Sequence, residues 1–191
     1  ARLSCRWIYL ATLMGKSLAT AKQLATLAQK KNIPLLFNPS LYLAEKGRRA
    51  LQPILNATRI LVLNLEEAQA LAGKKLPLLQ LLKELQSFGP EIVIITDSSR
   101  RLYARCRDKS YSLMPPAVKV VHTTGAGDAF TAAFLGAYIK RHTFADCLRL
   151  GQVNSTSVIQ DIGVKHRLLS HNEAVEKLNK YKIKVKEGVC A

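Results

Sequence analysis

Short runs of branched apolar residues alternate along this chain with longer stretches whose apolar positions recur every three or four residues. The first pattern is that of buried strands, the second that of amphipathic helices. Trp7–Thr12, Ile33–Phe37, Arg59–Leu63 and Glu91–Thr96 read as strands. Between them, Ser17–Lys31 repeats Leu18, Ala21, Leu24, Ala25 and Ala28 at helical spacing, and Leu43–Leu55, Leu65–Ala72 and Pro77–Phe88 read as helices too. Pro53 predicts a bend or restart in the second of these. Gly73 closes the third, and Pro77 stands near the start of the fourth. Leu102–Arg107 and Ser110–Leu113 predict a hairpin around Asp108-Lys109. Two longer helices, Gly125–Arg141 and Phe144–Asp161, come next. A last helix opens with the capping-box pattern Ser170-His171-Asn172-Glu173, and an edge strand is predicted over Tyr181–Lys186.

Strands alternating with helices predict an α/β fold, a mainly parallel sheet flanked by helices on both faces. In such sheets ligands bind beyond the C-terminal ends of the strands. Four polar motifs fall at or near such ends: Asn38-Pro39-Ser40, Asn64-Leu65-Glu66-Glu67, Thr96-Asp97-Ser98 and the loop Thr124–Asp128. Their shared position carries more weight than any one of them.

With 191 residues, 48% of them hydrophobic, the chain can bury one good core, and no linker divides it, so a single domain over 1–191 is expected. Cys5, Cys106, Cys147 and Cys190 are far apart and lack Cys-x-x-Cys spacing, which points to neither a zinc site nor a disulfide framework. A reducing, cytoplasmic setting is the expectation. No apolar run reaches membrane-spanning length. The net charge of +16 would suit nucleic acid, but the basic residues are scattered and aromatics make up only 6%, leaving little for base stacking. A nucleic-acid partner is therefore the weakest of the readings.

The chemistry concentrates in Val121-His122-Thr123-Thr124-Gly125-Ala126-Gly127-Asp128-Ala129-Phe130, which leads into the apolar stretch Thr131–Ile139. Two glycines separated by a small residue let the backbone approach a ligand, and the following helix turns its free N–H groups and positive dipole end toward it. An anion is the natural occupant, and Asp128 in the first turn places a carboxylate beside it. Two other patterns fail. Met14-Gly15-Lys16-Ser17 resembles the end of a P-loop, but Leu10 stands where its first glycine is needed; Gly125-x-Gly127 lacks the third glycine of a dinucleotide fingerprint, position 130 being Phe130.

The segment Thr123–Phe130 resembles the second signature of the ribokinase-like (PfkB-type) carbohydrate kinases, D-T-T-G-A-G-D-x-F, and Asn64-Leu65-Glu66-Glu67 is similar to the family's N-x-x-E element. The resemblance extends in register from Trp7 to about Leu178, with Gly163 where relatives carry a Gly-Ala pair. It implies a ribokinase-like fold and ATP-dependent phosphorylation of a hydroxyl on a small sugar or nucleoside. It makes Asp128 the general base and gives the amides of Gly125, Ala126 and Gly127 the transferring phosphoryl charge to hold. It puts Asn64 and Glu67 at Mg²⁺ and its waters, Thr96, Ser98 and Thr124 around the nucleotide phosphates, and Gln152 at the adenine. Asn64 and Glu67 also form a capping box on their own, and both roles can hold together.

The chain departs from the pattern at several points. Ser98 and Arg101 replace the glycines of T-x-G-x-x-G, Asn38 an aspartate, and His122 the leading aspartate of the signature, so potassium activation is not expected. The chain starts at Ala1 without methionine and the resemblance begins midway through the family's sheet. The expectation is the C-terminal part of such a kinase, lacking the N-terminal part and β-lid. A nucleotide-binding module without catalysis is the alternative, and a basic nucleic-acid binder the less favoured one.

Overall fold

The computed structural model describes residues 4–98, 100–163 and 165–189. Four strands, β1 (Ile8–Leu10), β2 (Leu35–Phe37), β3 (Thr58–Asn64) and β4 (Ile92–Thr96), pair in parallel, and β5 (Leu102–Cys106) returns antiparallel to β4. With β6 (Lys109–Leu113) and β7 (Val185–Val189) they form one sheet whose strands run in sequence order. Parallel strands need crossovers, supplied by α1 (Ser17–Lys30) after β1, α2 (Leu41–Ala44) and α3 (Gly47–Leu55) after β2, and α4 (Leu65–Ala72) and α5 (Leu78–Gln86) after β3. Branched apolar side chains fill β3 and β4, which are buried along nearly their whole lengths, the usual state of central parallel strands.

The described chain falls into two compact units. The first runs to Asp97 and takes in Tyr103–Ser110 and the chain from Gly188. Its core is built from alternate strand residues, Leu35, Phe37, Leu61, Leu63, Val93 and Ile95, packed with small residues of α1 and leucines of α3 and α5. The second unit comprises Ser98–Leu102 and Tyr111–Glu187. It holds α6 (Ala126–Ile139), α7 (Phe144–Val158) and α8 (His171–Tyr181). Close approach of α6 and α7 depends on Gly151, where an added Cβ would lie 2.8 Å from the Phe130 ring and 3.1 Å from its carbonyl oxygen. Phe134 stacks on Phe130 at 6.1 Å within α6 and meets Phe144 of α7 edge-on at 5.8 Å, joining the two helices.

Two expectations are corrected. The helix over 43–55 does not restart at Pro53: the break lies at Gly47 (φ 72°), and Pro53 sits inside α3, which ends two residues later. Pro53 has no N–H to give the carbonyl four residues back, so α3 carries it at the loss of one backbone bond. The final strand is Val185–Val189 rather than Tyr181–Lys186, because α8 continues to Tyr181 and ends only where Lys182 turns left-handed (φ 49°). No helix among the described residues is long and apolar enough to cross a membrane.

Candidate active site

In the first unit, Asn38, Asn64 with Glu67, and Thr96 sit side by side at the C-terminal ends of adjacent parallel strands. Asn38 follows β2, while Asn64 ends β3 directly opposite Thr96 at the end of β4. Asn64 is also the N-cap of α4. Its Oδ1 accepts from the Glu67 N–H at 2.9 Å, and a Glu67 carboxylate oxygen accepts from the Asn64 N–H at 2.8 Å. The capping box is therefore present, and it occupies only one of the two oxygens of Glu67. Burial pushes the Glu67 carboxyl above the usual range, against the lowering effect of the Asn64 N–H and with a further push from Glu66. A half-buried carboxylate held partly desolvated at a strand end, with an oxygen to spare, suits a cation that keeps most of its waters. Among the described residues no three His, Cys, Asp or Glu side chains gather into a cage. The amide of Asn38 is committed to structure: Nδ2 donates to the Val62 carbonyl at 2.8 Å and Oδ1 accepts from the Tyr9 hydroxyl at 3.2 Å. Thr96 is half-exposed, its hydroxyl 3.4 Å from the Leu63 carbonyl.

The second unit carries the fourth motif. The N–H groups of Val121 and His122 both donate to the Ile159 carbonyl, at 2.8 and 3.3 Å, pinning the loop to the carboxyl end of α7. The Thr124 N–H donates to Nδ1 of His122 at 3.3 Å, so the imidazole folds back on its own loop. Gly125 is the N-cap of α6 and adopts φ 84°, a conformation that costs other residues about 1–2 kcal/mol. The Thr131 hydroxyl donates to the Gly127 carbonyl at 2.8 Å. Gly127 and Asp128 are exposed, and a Cβ at Gly127 would meet nothing within 4 Å. The chain's own packing thus gives no reason for glycine at 127, whereas close approach of a ligand to the backbone does.

The three amides expected to face an anion are not equivalent. The Ala126 N–H donates to the Thr123 carbonyl at 3.2 Å and closes the turn, so Ala126 is withdrawn from that role. Among the described residues the N–H groups of Gly125 and Gly127 have no acceptor, as the exposed N-terminus of a helix requires of an anion site. Gln152 is buried and its amide donates to the Thr156 hydroxyl at 3.1 Å along its own helix. The thiol chemistry is unremarkable: burial, with help from Asp146, pushes Cys147 up to about 12, and Cys190 lies outside the described residues.

Ser98 answers the question raised by the missing glycine. It is exposed and holds φ 47°, the left-handed conformation that a glycine would take there without strain. Ser98→Gly relieves about 1–2 kcal/mol of strain and loses part of that, about 0.4–1 kcal/mol, to the freer unfolded chain. The expected net gain is roughly 0.5 kcal/mol, whereas Ser98→Val, branched at Cβ, is expected to lose about 2 kcal/mol. Urea unfolding midpoints read both; equal midpoints for the two variants would show that the conformation carries no strain.

One residue escaped the sequence reading. Asn154 stands in the stripe Leu150, Asn154, Val158 on α7 and is buried, donating to the Ala129 carbonyl at 2.9 Å and accepting from the Leu169 N–H at 2.9 Å. An amide interrupting an apolar i, i+4 stripe was the available signal.

Residues 6–170 match the model of the pfkB family carbohydrate kinases. The chain is 32% identical over 132 residues to an uncharacterized sugar kinase of Archaeoglobus fulgidus, a match covering 69% of this chain and 52% of that one. It is 27% identical over 150 residues to a nucleoside kinase of Methanocaldococcus jannaschii, covering 77% and 48%. The structure of Arabidopsis thaliana ribokinase complexed with ribose and ATP aligns with a TM-score of 0.78 at 22% identity, over 90% of this chain and 55% of that one, and shows a shared fold. The chain spans about half the length of the curated relatives it matches.

Proposed function

Because the chain belongs to the pfkB family of carbohydrate kinases, we propose that it transfers the terminal phosphoryl group of ATP to a hydroxyl of a sugar or nucleoside, with Asp128 as general base. Support comes chiefly from the N-terminus of α6, where the unpartnered amides of Gly125 and Gly127 precede an exposed carboxylate. Those amides and the helix dipole stabilise negative charge on the phosphoryl oxygens. Asp128 takes the proton from the acceptor hydroxyl as its oxygen forms the new bond to phosphorus and the bond to the ADP oxygen breaks. A carboxylate of ordinary basicity suffices, since phosphoryl transfer depends mainly on positioning and charge neutralisation. Glu67, with Asn64 fixing its orientation, would hold Mg²⁺, which would neutralise phosphate charge. Thr96, Ser98 and Thr124 border the phosphates. Gln152, whose amide also donates to the Thr156 hydroxyl, lies at the adenine.

The second reading is nucleotide binding without transfer, favoured by the strained Ser98. Calorimetric titration with Mg·ATP, paired with a label-transfer assay over pentoses, hexoses and nucleosides, separates the two. Binding with transfer is the expected outcome; binding alone favours the second reading, and no binding removes both.

The raised pKa of Glu67 gives a pH signature. Only the ionised form holds the cation, so Mg·ATP affinity is expected to fall as pH drops through that raised value, beginning at higher pH than an ordinary carboxylate would allow. For stability the sign is opposite: with its pKa raised on folding, the group favours the native state at low pH, and this contribution is lost as pH rises through the folded value. Glu67→Gln should flatten the affinity profile. An unchanged profile in that variant removes Glu67 from the metal.

A further inference from the structure

The buried amide of Asn154 joins two segments that α7 would otherwise only pack against. Its Nδ2 donates to the carbonyl of Ala129, the residue after Asp128, and its Oδ1 accepts from the N–H of Leu169, just ahead of the Ser170 cap of α8. Packing does not explain an amide here, since Leu150 and Val158 on either side of it are apolar and buried, and burying an unbonded amide costs about 1–3 kcal/mol. Nor does satisfaction of the acceptor explain it, because the Ala129 carbonyl lies inside α6, where the amide four residues on already serves it. What the bond adds is orientation. On the other side of the glycines, the Ile159 carbonyl holds the N–H groups of Val121 and His122. Thus α7 grips the Gly125–Asp128 turn from both directions, through two positions little more than one helical turn apart.

We propose that Asn154 is a positioning residue, which fixes the first turn of α6 on α7 so that Asp128 and the amides of Gly125 and Gly127 keep one relative orientation without Asn154 touching substrate. The proposal rests on the kinase reading of Asp128. Fixing a catalytic group to within a fraction of an ångström is worth orders of magnitude in rate, and a donor buried at the adjacent carbonyl is a direct means of doing so.

The test compares the full chain with Asn154→Ala, which removes both bonds, and Asn154→Asp, which keeps an acceptor for Leu169 but sets a carboxylate oxygen against the Ala129 carbonyl. Amide hydrogen exchange is expected to rise at least tenfold at Phe130–Ala133 relative to Leu135–Ile139 in both variants, and at Leu169 only in Asn154→Ala. The kcat for transfer, to a sugar or in its absence to water, should fall at least tenfold with KM for ATP within threefold. A merely structural role would raise exchange uniformly along α6 in step with urea stability and leave kcat unchanged; either result overturns the proposal. The reading of Asp128 fails separately, if Asp128→Asn keeps the wild-type kcat, and the exchange pattern still decides whether the turn is clamped.

Discussion

Asp128→Asn is expected to lower kcat for phosphoryl transfer by about a thousandfold, within the range that general bases supply, while Mg·ATP affinity stays the same or tightens. Asparagine keeps the size and shape of the side chain but has no basic oxygen, so the acceptor hydroxyl must lose its proton unaided. Folding should be little affected, because Asp128 is exposed in the first turn of α6 and asparagine keeps its shape and polarity there. Removing a negative charge beside bound phosphates relieves repulsion, which is why affinity should not fall. Steady-state kinetics with calorimetry reads both quantities, and wild-type turnover in the variant would discard the base.

Gly127→Ala is expected to separate function from stability. A methyl group there meets nothing in the chain within 4 Å, and alanine is the better helix former, so the melting temperature should hold or rise. The same methyl fills the space through which a phosphate reaches the Gly127 N–H, and loss of one such donor costs about 10²–10³ in rate. Gly125→Ala makes the contrast: its φ of 84° charges the substitution to folding as well as to transfer. Thermal unfolding and kcat for the pair settle the distinction. A Gly127→Ala protein that melts early would mean the glycine serves the fold.

Much of the fold was legible because its periodicities are clean. The short, β-branched apolar runs that become β3 and β4 read as buried strands by their length and composition, and the three- and four-residue spacing in α1 marks its core face. The break at Gly47 and the strand at Val185–Val189 were misplaced because both depend on where the chain turns left-handed, at Gly47 and Lys182, a property the apolar pattern does not encode. The turn at Gly125 leading into a helix with Asp128 in its first turn was legible from glycines, apolar stretch and carboxylate in succession. That Ala126 gives its amide to Thr123 was not, since the sequence says that a turn is there but not which of its amides the turn consumes. Ser98 misled in the other direction: its identity argued for a changed loop, yet the backbone keeps the glycine conformation. Asn154 was missed because a single polar residue on a helix is ordinarily read as its solvated face.

If the amides of Gly125 and Gly127 hold the terminal phosphate of ATP beside Asp128, their protons must respond to that phosphate. Amide NMR during titration with Mg²⁺ and a non-hydrolysable ATP analogue, set against Mg·ADP, reads the response residue by residue. Downfield shifts of the Gly125 and Gly127 protons are expected with the triphosphate and not with the diphosphate, with a much smaller change at Ala126, whose proton already lies on the Thr123 carbonyl. Equal responses to both nucleotides, or none at either glycine, would contradict that assignment.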